Sequence, residues 1–337
     1  MNEPQIGPKE ALIIQGKRDT VLEVDDLHVY YDTNLGPIKA VNGVSFRLRR
    51  GESLGLVGES GSGKSTTVLS LMGLIKPPGR IVKGRILLNG LDIVRATDRE
   101  IRAVRFVKMS LVPQGAMNSL NPVMKIGEQI ADTIRAHIPK STNSSIKSRI
   151  TEVLESVDLS PSVVKRYPHE LSGGMKQRVC MAMATALRPE VIIADEPTSA
   201  LDVVVQRQVF ETLKSLQESL SASVLLVGHD MGLMAQFVDR VAVMYAGKIV
   251  ELSPTTEFFE KPFHPYAKQL IDSLPTLGRR RPLTGITGLP PSLRMLPPGC
   301  PFHPRCAKAM DQCRSVEPSF VQASGCRSVA CHLFPKV

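Results

Sequence analysis

The sequence predicts an α/β fold: a largely parallel sheet covered by helices and interrupted by an inserted helical block. Three observations predict it. Near-continuous apolar runs at 53–57, 191–194 and 224–227 suit strands buried on both faces. The first run leads through a Gly-rich loop into a helix-like stretch at 64–74. Between it and the other two, residues 125–187 carry mostly helical periods with few β-branched runs.

In chain order, residues 1–20 form a tail, and strand-like runs follow at 21–24 and 40–46. The run at 86–88 precedes Asn89 and Gly90, a hairpin signal. The character changes near residue 265. Pro275, Pro282, Pro290, Pro291, Pro297, Pro298, Pro301 and Pro304 exclude long helices there. The expected division is therefore a tail over 1–20, a core domain over 21–265 with its helical subdomain at about 115–187, and a small Cys/Pro-rich region over 266–337.

Composition narrows the function classes. The 337 residues carry 42 Lys+Arg against 32 Asp+Glu, a net charge of +10, with 42% hydrophobic and 22% charged residues. That excludes a disordered chain and a membrane-spanning one, since the apolar runs fall far short of the ~20 residues a bilayer requires. No apolar signal-peptide core stands in the first twenty residues, so a cytosolic chain is expected. Aromatics at 4%, with no Trp, argue against a base-stacking nucleic-acid binder.

Gly58, Gly63, Lys64 and Ser65 fill every fixed position of G-x-x-x-x-G-K-[ST], directly after a strand and before a helix. That context defines a P-loop NTPase. Backbone N–H groups of such a loop curl around phosphates, helped by the partial positive charge of the helix N-terminus. Lys64 is expected to neutralise β- and γ-phosphates, and Ser65 to hold Mg²⁺. The apolar strand at 191–194 delivers Asp195 and Glu196 at its C-terminal end, where α/β sheets place ligands. Asp195 suits Mg²⁺ and Glu196 suits a general base.

Further pieces follow in order: Gln114; Leu171, Ser172, Gly173 and Gly174 opening a helical run; Asp202; and His229 after the strand at 224–227. Together with the P-loop they resemble the nucleotide-binding subunit of ABC transporters. The resemblance implies a head-to-tail dimer of ATPase domains, each ATP held between one P-loop and the partner's signature. It implies that Gly58, Ser60, Gly61, Ser62, Gly63, Lys64, Ser65 and Thr66 bind ATP in cis, and that Ser172, Gly173 and Gly174 close over the partner's γ-phosphate. By the same carry-over Gln114 contacts Mg²⁺ and water, Asp202 works across the dimer seam and His229 holds the γ-phosphate. Tyr31, with Tyr30 as fallback, is the upstream aromatic expected to stack on adenine.

The segment 116–123, then His264, Pro265 and Tyr266, then Pro298 to Cys306 resemble the oligopeptide/dipeptide (and nickel) importer branch. The chain departs from it at Gly115 and Ala116, which replace an acidic-Pro pair without removing a ligand. The implied partners are a second ATPase subunit (self or paralogue), two membrane permeases at the cytoplasmic face of a bacterial membrane and, indirectly, an extracytoplasmic solute-binding protein, with no nucleic acid.

Of six cysteines, Cys180 stands alone and the others fall in the last 38 residues. In a reducing compartment such a cluster points to metal. Similar tails in this branch imply a [4Fe-4S] cluster on Cys300, Cys306, Cys313 and Cys331. Zinc is the alternative, with Cys326 and Cys331 as a passable knuckle. Two other functions remain open at this level. One is a soluble ABC ATPase acting on ribosomes or nucleic acid with a zinc-type tail, which the +10 charge permits. The other is a regulatory nucleotide sensor, opposed by an intact Glu196 and His229.

Overall fold

The computed structural model describes residues 19–115, 119–199, 201–274, 285–286 and 288–334. The tail up to residue 18 and residues 116–118 of the segment after Gln114 lie outside them. Strands β1 (Thr20–Tyr31) and β2 (Ile38–Arg49) open the described chain. Then come β3 (Ser53–Val57), α1 (Lys64–Leu71), β4 (Gly79–Leu88), β5 (Leu91–Asp92), α2 (Asp98–Val104) and β6 (Met109–Val112). The helical block holds α3 (Ile126–His137), α4 (Asn143–Glu155) and α5 (Gly173–Thr185). The chain returns to the sheet through β7 (Val191–Asp195), α6 (Val203–Leu220), β8 (Ser223–Gly228), α7 (Met231–Phe237), β9 (Arg240–Tyr245) and β10 (Lys248–Pro254). Helices α8 (Thr255–Glu260) and α9 (Pro265–Asp272) precede a short hairpin, β11 (Val321–Ser324) and β12 (Arg327–Val329).

Two sheets form. The smaller runs β2-β1-β4-β5, all antiparallel. Its β4–β5 turn uses Asn89 and Gly90, both at positive φ, as two-residue hairpins require. The larger runs β11-β12-β10-β9-β3-β8-β7-β6, with parallel pairing from β9 to β6. Its central strands β3, β7 and β8 are buried along their whole length. Alternation along them feeds two cores. Val191 and Ile193 face the small sheet, whereas Ile192 and Ala194 face the helices. The sheet is thus the middle layer, and its strand ends carry the loops of interest.

The C-terminal region joins this body. Strand β12 pairs with β10, Glu251 opposite Val329 and Leu252 opposite Ser328. Glu251 is fully buried and meets the buried Arg327 at 3.1 Å. Its carboxylate also accepts the N–H groups of Phe263 and His264 at 3.0 and 2.7 Å. Arg327 lies 3.3 Å from the ring centroid of Phe263 and donates to the Lys261 carbonyl at 2.6 Å. A buried ion pair holds only when its remaining donors and acceptors are satisfied, and here several are.

Candidate active site

The loop from Gly58 to Gly63 has a backbone that side chains would prevent. Gly58 and Gly63 sit at φ of 155° and 106°. A Cβ at Gly58 would lie 2.2 Å from the Met244 carbonyl oxygen, and one at Gly63 would lie 2.2 Å from that of Ala40. Both positions therefore demand glycine. Lys64 is buried at the start of α1, and its Nζ donates to the carbonyls of Gly58 (2.7 Å) and Glu59 (3.0 Å). Burial lowers its pKa, opposed by the charges of Glu196, Asp195 and Glu59. Ser60, Gly61 and Thr66 share this loop and first helical turn.

Strand β7 runs parallel to β8, itself parallel to β3, and brings Asp195 and Glu196 beside that loop. Burial raises the pKa of Asp195, the hydroxyl of Ser65 lowers it, and Glu196 raises it. Among the described residues the buried Oδ1 of Asp195 has no hydrogen-bond partner. Glu196 accepts from the Gln114 side-chain amide at 2.9 Å, and its other oxygen lies 3.6 Å from Nδ1 of His229. Its φ is +44°, an uncommon backbone for a non-glycine residue. The β7–α6 and β8–α7 loops enclose a cleft of about 190 Å³ lined by Glu196, Ser199, Gln206, His229 and Asp230. His229 is 71% exposed at its mouth.

The structure thus gathers Lys64, Ser65, Gln114, Asp195, Glu196 and His229 around one loop. It leaves the signature residues on other contacts. Ser172 caps α5 by accepting from Met175 N–H at 3.3 Å. A Cβ at Gly174 would meet Val205 of α6 at 2.6 Å. Asp202 caps α6, accepting from Val204 and Val205 N–H at 3.1 and 3.0 Å. Tyr30 and Tyr31 pair with Lys39 and Ile38, next to the Ala40 carbonyl that abuts Gly63. The Tyr30 hydroxyl is engaged with Asn42 at 3.1 Å, whereas the Tyr31 ring lies over Gly79.

One set of contacts was not legible as a site. Tyr266 accepts the Glu59 N–H at 2.8 Å, and Arg305 makes a two-pronged pair with the Glu59 carboxylate at 2.7 and 2.9 Å. The sequence offered only a charged residue at a free position of the loop motif and the two motifs that carry Tyr266 and Arg305.

Cys300, Cys306, Cys313 and Cys331 gather in the C-terminal loops. The other three thiols push up the pKa of Cys300, although burial is the main cause of its rise to about 11. Cys306 and Cys331 are likewise raised, by burial first. The sulfurs of Cys300, Cys306 and Cys331 each interact with the N–H two residues ahead, which favours the thiolate. Cys326 is exposed in the β11–β12 turn, lining a different cleft. Among the described residues no three His, Cys, Asp or Glu groups are arranged to hold one metal ion. Cys180 is buried in α5, which pushes its thiol up to about 12.

A strand, a glycine loop and a helix beside an acidic strand end define a P-loop NTPase. The sequence profile of the ABC transporter family matches residues 41–199, and that of the oligopeptide/dipeptide transporter C-terminal region matches residues 250–313. The oligopeptide transport ATP-binding protein AppD of Bacillus subtilis is 43% identical over 319 residues, covering 94% of this chain and 97% of its own. The dipeptide transport ATP-binding protein DppD of the same organism is 42% identical, covering 94% and 95%. Among solved structures, the bacterial ABC transporter cassette MJ0796, a dimer, superposes with a TM-score of 0.63 at 27% identity, covering 69% of this chain and 98% of that one. The chain belongs to the ABC transporter ATP-binding family, in its oligopeptide/dipeptide branch. The ribosome- or nucleic-acid-acting alternative finds no support among these relatives.

Proposed function

We propose that this chain is the ATP-hydrolysing subunit of an importer that takes up peptides across a bacterial cytoplasmic membrane. The observation that carries the reading is Glu196, strained at positive φ and set between Gln114 and His229 beside the phosphate-binding loop. Strain of this kind persists where the surrounding structure over-determines it, as at active sites.

Each residue then has a task. Amides of the Gly58–Ser65 loop and Lys64 bind the phosphates; Lys64 exchanges its carbonyl partners for them. Ser65, Asp195 and Gln114 fit Mg²⁺, because the orphaned buried oxygen of Asp195 calls for a cation. When bound, the ion neutralises charge on β- and γ-phosphate oxygens. Glu196 takes the proton of the attacking water, with Gln114 and His229 orienting it. Tyr31 offers a face for adenine. Ser172, Gly173, Gly174 and Asp202, which contact α5 and α6 within one chain, complete the site of a second ATPase subunit in a head-to-tail pair. Sharing the site supplies more donors to the developing charge than either half holds.

No helix among the described residues is long and apolar enough to cross a membrane. In this reading transport runs through two permease partners, as the likeness to peptide transport ATP-binding proteins supports, with this chain peripheral on the cytoplasmic face and its net positive charge toward anionic headgroups. A Glu196→Gln variant should bind ATP normally and lose turnover by at least a hundredfold, read by phosphate release. Near wild-type release would sink the general-base assignment.

The thiol group supports a metal-stabilised segment within the region 266–337. Zinc held by thiolates, at about 2.3 Å from each sulfur, is the alternative metal. The reading keeps a [4Fe-4S] cluster on Cys300, Cys306, Cys313 and Cys331, supported by the mutual influence of these four thiols, with the exposed Cys326 outside. Iron with labile sulfide in equal amounts should copurify with the chain and vanish in Cys313→Ser but persist in Cys326→Ser. A colourless protein with stoichiometric zinc would overturn the cluster.

A further inference from the structure

The position after the first P-loop glycine is free in the motif, because the phosphates are read by backbone amides. Here it is Glu59, and nearly every polar group of that residue is tied. Its N–H donates to the Tyr266 hydroxyl at 2.8 Å. Its carbonyl accepts from Ser62 N–H at 3.2 Å and Lys64 Nζ at 3.0 Å. Its carboxylate receives both terminal nitrogens of Arg305, 246 residues away in sequence.

The far side of these contacts is rigid. The Arg305 side chain is 5% exposed, and it also donates to the Tyr245 hydroxyl at 3.3 Å. Tyr245, Tyr266 and Phe302 are fully buried against one another, with ring centroids 4.6 to 5.4 Å apart. Phe302 and Arg305 stand between Cys300 and Cys306. Two-pronged Arg–carboxylate pairs fix orientation as well as distance. The anchor therefore sets where the Glu59 backbone sits, and Glu59 sets the curl of the loop around Lys64.

We propose that Arg305 and Tyr266 are positioning residues for the phosphate-binding loop, and that the cysteine-bearing segment braces that loop within its own chain so that ATP affinity depends on the segment being folded. The inference rests on the reading that residues 58–65 bind the nucleotide phosphates. The brace contacts Glu59 of the loop, whereas Glu196 is held by Gln114 and His229, so it acts on binding and not on the proton transfer.

The test uses the full chain assembled with its permease partners, with ATP titrated in binding and steady-state assays. Arg305→Gln should raise Kd and KM for ATP about tenfold with kcat within about twofold, as loss of a charge-assisted pair holding a binding loop implies. Tyr266→Phe, which keeps the ring packing, should raise them about threefold, and decides the matter if Arg305→Gln does not fold. Glu59→Gln with Arg305→Gln should be no worse than Arg305→Gln alone, because one interaction is lost in both. An unchanged KM in Arg305→Gln and Tyr266→Phe, with or without a fall in melting temperature, overturns the brace. A Lys64→Ala control separates the two readings: if it abolishes binding, only the brace has failed; if it does not, the phosphate site itself has.

Discussion

The phosphate-binding loop and the cysteine-bearing segment press on each other, yet they are built by opposite means. The first is made of backbone: Gly58 and Gly63 take conformations and approaches that no side chain permits. The second is held by side chains that reach into the ATPase body: Arg305 to Glu59, Arg327 to Glu251, Phe302 into the aromatic cluster. Backbone demands leave a local mark in sequence. Side-chain ties between distant residues do not, although they can be as strong.

Breaking each kind of construction should give different signatures. Gly63→Ala puts a methyl 2.2 Å from the Ala40 carbonyl oxygen at a φ of 106°. The loop must rearrange, and ATP affinity should fall by about a hundredfold or more, since misplacing binding groups by about 1 Å costs that much; equilibrium titration with ATP checks it. Arg327→Met should instead leave nucleotide affinity per folded molecule nearly intact. It strands the buried Glu251 and should cost about 3–5 kcal/mol of stability, measured by denaturant unfolding. A normal unfolding midpoint would mean that the C-terminal hairpin is not welded to the sheet by this pair.

A smaller effect sharpens the contrast through pH. His264 is fully buried, and burial pushes its pKa down to about 3, while Nδ1 accepts the Tyr266 N–H at 3.0 Å. The folded state therefore binds fewer protons than the unfolded one between about pH 6.5 and 3. Its contribution is complete above about pH 6.5 and is lost as pH falls, by about 2 kcal/mol between pH 6.5 and 5. His264→Asn keeps an acceptor and should flatten unfolding free energy across that window. Glu190 does not interfere. Lys108 foremost, then Arg50 and Asn89, hold its pKa at about 2, so its contribution fades only below about pH 4.5.

These contrasts explain what could be read from the sequence. The loop motif, the buried strands ending at Asp195 and Gly228, and the Asn89–Gly90 hairpin are each decided within a few residues. The helix expected to reach residue 74 stops at Leu71, because Gly73 turns to a φ of +60°. Strands β1 and β2 run to twelve residues each, longer than their apolar runs, since bulges around Asp25 and Asp26 break the alternation. The pairing of β12 with β10 was illegible because a three-residue strand of Arg327, Ser328 and Val329 has no pattern of its own. Of the site, Glu196, Gln114 and His229 announce themselves by order along the chain, but the Glu59–Arg305 tie spans 246 residues with no local trace.

The most direct test of the account measures phosphate release and labelled-peptide uptake together, in vesicles that hold this chain with its permease partners and a peptide-loaded binding protein. Both should proceed with the wild-type chain, and both should stop in Glu196→Gln while ATP remains bound. Uptake that continued in Glu196→Gln, or phosphate release that ran at the same rate with and without transportable peptide, would contradict it.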